Sequence, residues 1–406
     1  MKWIIIAWKN IWRNQRRTLL SIGIISVGTM ALLIAIGFIL ASFYGLREIT
    51  IRSDIGHMQI GMMNSFDPSS EDNQELDPAL IQKLENAIDN FPEVLFSMNR
   101  ILFEGLITAG EKTVSFTGRG IDPEKESRMS GGFAPIVQGT GLPLLPEKNQ
   151  YSVVIAEGLA KILHVEPGDY VTVLTNIKGG SINALDLQVV GTYKTGVPEM
   201  DNRSLLVSIP TAQKLLINDS ISRTIIALKH TEDTNLVSNQ LKKLFPNLAI
   251  KTWQDLAFFY QQVVILYRNI FIVFGVIIVV VVLLSITNTM LMAIMERVKE
   301  IGTLMAVGIP KKQICINFSY EGLFIGLLGG ILGVILSIII SLIINFSGIQ
   351  MPPPPGRTTP YPLIIFMNNL AIFSVIFLMA LCGWLAAIFA SWKAVNMKII
   401  DALGHN

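Results

Sequence analysis

An α-helical membrane protein with four transmembrane helices and a large α+β extracytoplasmic domain between the first and second is the fold this 406-residue sequence predicts. Three observations carry the prediction. Hydrophobic residues make up 51% of the chain and charged residues 15%, with mean hydropathy +0.52, an apolar excess beyond the needs of one globular core. The stretches 19–43, 269–295, 322–350 and 361–391 carry no charge, and each has the ~20 residues that a helix rising 1.5 Å per residue needs to cross a hydrocarbon core. The interval 44–262 is of another kind, switching between alternating and helical patterns with turn residues at the switches.

With their flanks the spans are placed at 19–43, 263–295, 320–346 and 363–391. The first follows Lys9, Arg13, Arg16 and Arg17, yet its apolar run is longer than a cleavable signal allows, so it is expected to be a retained anchor. Five basic residues precede it without an acid, and Arg297, Lys299, Lys311 and Lys312 lie in 296–319, whereas 347–362 holds only Arg357. The positive-inside rule therefore puts 1–18, 296–319 and the tail 392–406 in the cytosol, and exports 44–262 and the Pro-rich loop 347–362. In 1–18, Ile4, Ile5, Trp8, Ile11 and Trp12 share one helical face and Lys2, Lys9, Arg13 and Arg16 the adjacent one, the pattern of an interfacial helix with Trp8, Trp12 and Arg13 at the membrane surface.

The exported interval carries 19 basic and 26 acidic residues, which excludes a nucleic-acid partner. It has no cysteine and must fold on its apolar core alone. "IGHMQIGMM" (55–63) reads as a strand, Asp77 and Pro78 as the start of a helix to about Asn90, and 94–122 as strands turning at Gly110 and Glu111. "SVVIAEGLAKILHVEPGDYVTVLT" (152–175) reads as strand, short helix, turn and strand, with further strands at 187–195 and 205–209. Two subdomains are expected, the second spanning about 144–204.

No catalytic site emerges. "GLITAGEKT" (105–113) resembles a phosphate loop, but Glu111 stands where Lys must follow the second glycine. His57, His164, His230 and His405 are far apart and without metal-ligand spacing, so no metal site is expected. Small residues stand out instead. Gly28, Ala31 and Ala35 form a stripe on the first span, a candidate dimer contact, and Gly326, Gly329, Gly330 and Gly333 suit close helix packing on the third.

Between the second and third spans, "MERVKEIGTLMAVGIPKKQICINF" (295–318) sets Glu296 and Glu300 one turn apart beside Arg297 and Lys299, on a helix expected to run on past the membrane surface. Gly308 is a cap candidate, Pro310 begins a new helix, and Lys311, Lys312 and Gln313 follow on its first turn. The order of these pieces resembles the signature of the FtsX-like permease family, which includes the membrane subunits of MacB-type exporters and of lipoprotein-releasing Lol transporters. "VIAEGLAKILHVEPGDYVTV" (154–173) and the ending "ASWKAVNMKIIDAL" (390–403) are similar to that family as well.

The resemblance implies a non-catalytic permease subunit of an ABC transporter, multi-pass in a bacterial inner membrane with its large domain in the periplasm. It also implies that no cofactor is bound by this chain itself. No Walker motif is present, so ATP and Mg would sit on a separate ATPase, in two copies, below a homodimer or related heterodimer of permeases. The family's docking elbow falls by position on Glu296, Arg297, Glu300, Gly308, Pro310, Lys311, Lys312 and Gln313. The implied mechanism is mechanotransmission, in which ATPase movement reaches the exported domain through a stiff helix. Its implied substrate is a periplasmic lipoprotein, lipid or peptide, with lipoprotein release ahead of MacB-like export of peptide, toxin or macrolide-like compounds. A transmembrane sensor would require a cytosolic signalling domain.

Overall fold

Residues 15–67, 75–130, 134–144, 151–177, 180–353 and 360–396, with Ala7 and Thr358, are described by a computed structural model. Trp8, Trp12, Arg13 and Arg357 lie outside them. The chain forms two compact units: Met1–Tyr44, Val263–Met351 and Pro362–Asn406 make one, Gly45–Gln262 and Pro352–Tyr361 the other.

Helix α1 (Gln15–Thr50) runs beyond the apolar stretch that predicts it and passes into a π-turn over Ile51–Ile55. Gly56 ends that turn with φ +72°, its N–H donating to the Ile51 carbonyl at 2.7 Å. A side chain there would be strained twice over, because a Cβ would also fall 2.3 Å from Ile225 Cγ2.

In the α+β unit the order is β1 (Met58–Met62), α2 (Pro78–Ile88), β2 (Val94–Ala109), β3 (Lys112–Ile121), α3 (Pro123–Ser130), β4 (Ile136–Gly139), β5 (Ser152–Ala156), α4 (Glu157–Leu163), β6 (Tyr170–Asn176), β7 (Ile182–Tyr193), α5 (Pro198–Asp201), β8 (Ser204–Ser208), α6 (Ile209–Leu216), β9 (Arg223–Leu228), α7 (Thr234–Leu244), β10 (Leu248–Thr252) and α8 (Trp253–Leu256). Helix α2 begins at its first-turn proline and buries Ile81, Leu84 and Ile88, a spacing that keeps all three on one face. The loop-like "GLITAGEKT" is the β2–β3 hairpin, with Gly110 at φ +56° in its turn.

Strand β2 organises the sheet. Its first half pairs with β9, from Val94 to Arg100, and its second half with β3, from Ile101 to Ala109, while Gly105–Thr108 also meets β6. The expected subdomain at 144–204 is accordingly not self-contained. Its strand β6 pairs outside it with β2 and its strand β5 with β8, and Val153, Val173 and Leu187 join Met58, Ile101 and Ile250 in one buried cluster. Pairing partners distant in sequence decide this grouping, and local periodicity carries no information about them.

Below that core a buried histidine is held neutral. The Leu228 N–H donates to His57 Nδ1 at 3.2 Å, which puts the ring proton on Nε2, 3.2 Å from Thr231 Oγ1; that hydroxyl donates in turn to Glu48 at 3.2 Å. Burial lowers the His57 pKa to about 4, against the opposing pull of Glu48. A folded value below the unfolded 6.5 means that the stabilisation is intact above pH 6.5 and is lost as pH falls toward 4, in all about 3 kcal/mol. Thermal unfolding of the full chain at pH 7 and pH 4.5 should therefore show a larger acid-induced drop than in His57→Gln. Equal drops would mean that the ring is charged in the folded protein.

Among the described residues four helices are long and apolar enough to cross a membrane: α1, α9 (Phe258–Met295), α11 (Lys311–Ser347) and α12 (Asn369–Val395), with the short α10 (Val298–Ala306) between the second and third. Gly322, Gly326, Gly329 and Gly333 fall within about 60° of one another on α11, forming a single stripe. A Cβ at Gly326 would lie 2.5 Å from the Met379 carbonyl oxygen of α12, and one at Gly333 2.4 Å from Thr29 Cβ of α1. The stripe thus serves contacts within the chain, and Ser26 Oγ reinforces it by donating to the Gly329 carbonyl at 3.1 Å. Gly330 has ordinary contact only, its nearest neighbour 3.6 Å away.

Gly28, offered by the sequence as part of a dimer stripe, is buried against Val282 of α9, while Ala31 and Ala35 are half-buried. The small residue is used to bring α1 and α9 together. Even so α9 is the least enclosed of the four, with 11% of its apolar window buried against 44% for α1.

Candidate coupling site

The helix of the second span does not run straight through the charge cluster. It stops at Met295, Glu296 and Arg297 form a turn, and α10 restarts at Val298. The two residues of the turn carry opposite charges that pair with different helices. Arg297 turns inward and pairs with Glu321 of α11 at 3.4 Å, both side chains only 6% exposed, whereas Glu296 faces outward and accepts a forked bond from Arg17 of α1, one arm at 2.8 Å. The hydrogen bonds from Arg17 hold the Glu296 carboxyl below its ordinary pKa.

Of the expected elbow residues, Glu296, Glu300, Gly308, Pro310, Lys311, Lys312 and Gln313 are exposed and Arg297 is buried. Arg297 is therefore a tie between elements and presents no contact surface. Its partner Glu321 was not visible as such from sequence, because a lone acid at the start of an apolar run looks like any helix-end charge.

Helix α10 packs Val298, Ile301 and Gly302 inward and presents Lys299, Glu300, Thr303 and Leu304 outward. Its end is a Schellman motif: the Gly308 N–H donates to the Met305 carbonyl and the Ile309 N–H to the Leu304 carbonyl, both at 3.1 Å, with Gly308 at φ +94°. Ile309 then packs on the core and reverses the chain. Pro310 stands one position earlier than expected, as the N-cap of α11, and its carbonyl accepts the Gln313 N–H at 2.9 Å. The helix that Pro310 opens, beginning "KKQICINF", is continuous with the third span. That segment forms the opening turns of the 37-residue α11, since Ile314 and Phe318 continue the buried face and no breaker follows before Gly348.

What remains at the tip is an apolar knob edged by cations. Val307 is 78% exposed and Leu304 38%, beside the exposed Lys311, Lys312 and Gln313. A large aliphatic held open to solvent by a glycine cap is suited to fill a cleft on a partner. Among the described residues no group of three His, Cys, Asp or Glu side chains is placed to hold a metal ion.

Two family models match this chain. Residues 272–399 match the FtsX-like permease C-terminal model, and residues 18–244, more than half of the chain, match the MacB-like periplasmic core domain. The chain belongs to the FtsX-like ABC transporter permeases. The turn at Glu296, the Schellman cap and the knob all fall inside the FtsX-like permease match. An ABC transporter permease of Methanocaldococcus jannaschii is 29% identical over 45% of this chain, which spans 46% of that relative's length. The lipoprotein-releasing system transmembrane protein LolC of Neisseria meningitidis is 23% identical over 76% of this chain and 73% of its own. Among solved structures, the periplasmic region of MacB from Actinobacillus actinomycetemcomitans is similar at 18% identity and TM-score 0.35, covering 48% of this chain and 88% of that one.

Proposed function

We propose that this permease couples ATP hydrolysis on a separate cytosolic ATPase to movement of its α+β domain outside the membrane, and that the cargo so moved is a lipoprotein on its way to the outer membrane. The observation that carries the coupling is the knob of Val307 and Leu304 beside Lys311 and Lys312, fixed by the Schellman cap between α10 and α11. Two permease copies, identical or related, stand above two ATPase copies, with ATP and Mg bound by the ATPases. When the ATPases approach, the knobs are driven together and the helices above them pass the displacement on. The lipoprotein reading is favoured by the extent of the LolC likeness, which includes most of both chains. The MacB-like core match supports the other cargo class, peptide, toxin or macrolide-like compounds. Mass spectrometry of what stays bound to the purified complex separates the two.

Replacing Lys311 and Lys312 by Glu should weaken ATPase association at least tenfold, about 1.4 kcal/mol, by setting acids where the partner meets cations. Co-purification and substrate-stimulated ATP turnover in reconstituted membranes are the measurements. Full association and turnover in the charge-reversed protein would remove the knob from the coupling path. Orientation is tested independently. A cysteine at the exposed Asp219 should react with an impermeant thiol reagent outside intact spheroplasts, and one at Lys311 should not.

A further inference from the structure

Four of the arginines in the α+β unit converge on one cavity of about 670 Å³, lined by Arg100, Arg119, Arg203 and Arg223 together with Asp54 and Glu199. The convergence runs against the charge of its surroundings, since 44–262 holds 26 acidic residues to 19 basic ones. It is also built rather than incidental. Arg100 is 2% exposed and is clamped by Glu126 through two bonds, at 3.0 and 2.7 Å, and Arg119 is 7% exposed and bonds to Asp54, which Arg100 shares at 3.3 Å.

Among the described residues the other two guanidiniums form no ion pair, although Arg223 feels the charge of Asp54. Arg223 donates to Gln59 Oε1 at 2.9 Å and the Ser65 carbonyl at 3.0 Å, both neutral, and its plane lies over the Phe66 ring at 4.2 Å. Burial penalises its charge and lowers its pKa. Arg203 forms no ion pair with any described residue, and its side chain is exposed at the cavity rim. Counting Glu126 behind Arg100, four cations face three acids, and one of those acids, Glu199, is exposed.

We infer that this cavity is a binding site for an oxyanion, a phosphate or carboxylate group on a small ligand, held by Arg203 and Arg223 against the preset pair Arg100 and Arg119. Planar guanidiniums fork to two oxygens at once, and fixing them in advance with Asp54, Glu126 and Phe66 removes the entropy that free arginines would lose on binding. The volume is that of a site for a small molecule. Gln59 and Thr117 place neutral polar side chains beside the cations. Asp54 lies on the π-turn over Ile51–Ile55, so an incoming oxyanion competes with that turn for Arg119 and Arg100. Occupancy would then be sensed where α1 ends.

The site goes beyond the coupling reading, and its test uses no ATPase. Isothermal titration of the purified full chain in detergent, at constant ionic strength in chloride, is made with inorganic phosphate and separately with acetate. We expect one saturable site for at least one anion, with Kd below about 1 mM. Arg203→Gln should weaken it at least tenfold without disturbing the fold, because that side chain is exposed and Thr117 bonds only its backbone carbonyl. Lys242→Gln on α7 should bind as the unaltered chain does. Saturation by phosphate alone identifies a phosphate ester as the ligand class, and by acetate alone a carboxylate. Absence of saturable binding for both anions, unchanged affinity in Arg203→Gln, or equal weakening in Lys242→Gln overturns the inference.

Discussion

Arg297→Leu should destabilise the protein by about 3–5 kcal/mol, since it leaves the Glu321 carboxylate buried without its cation. Both side chains are 6% exposed and 3.4 Å apart, so water replaces the lost partner poorly. Removing both charges together, as Arg297→Leu with Glu321→Leu, should recover most of the loss, because the uncompensated charge is the source of the penalty. Thermal aggregation of the full chain in detergent measures each variant. A single variant as stable as the unaltered protein would show that the carboxylate is solvated. The pair ties the turn before α10 to α11, so on the proposed coupling the double variant should keep most of its stability and still couple poorly to the ATPase.

Gly326→Leu is expected to be almost as damaging, at about 3 kcal/mol, through the contact between α11 and α12. The obstacle there is backbone: a first side-chain carbon would lie 2.5 Å from the Met379 carbonyl oxygen and 3.0 Å from Ala380 Cα, neither of which can rotate aside. Gly330→Ala is the matching control. Its nearest neighbour stands at 3.6 Å, so the added methyl should be accommodated with little change in thermal stability. If both variants behave alike, close approach of the two helices is not what the glycine provides.

The parts of this molecule that could be read from the chain are those whose cause is local. Uncharged runs identify long apolar helices, a proline after Asp77 announces a helix start, and Gly308 before Ile309 and Pro310 announces a reversal. Each rests on the conformational limits of a few neighbouring residues. Pairings between distant positions were hidden. Arg297 and Glu321 are separated by 24 residues and each resembles an ordinary charge at the end of an apolar segment. Nothing around Gly28 points to Val282. The arginine cavity draws on the π-turn, β2, β3, β9 and the start of β8, and spacing along the chain carries no trace of their convergence. The exposed Val307 was passed over for the opposite reason, as one aliphatic among many in an apolar chain.

The glycine stripe of α11 has a mechanical consequence. Because Gly322 and Gly326 seat α12 while Gly329 and Gly333 seat α1 along the same line, turning α11 about its own axis would unseat both neighbours at once. Rotation of α11 about its axis is thereby opposed by backbone contacts on two sides, and a bulky residue at Gly322 would force away α12 whereas one at Gly333 would force away α1, so the two ends of the stripe are separately addressable.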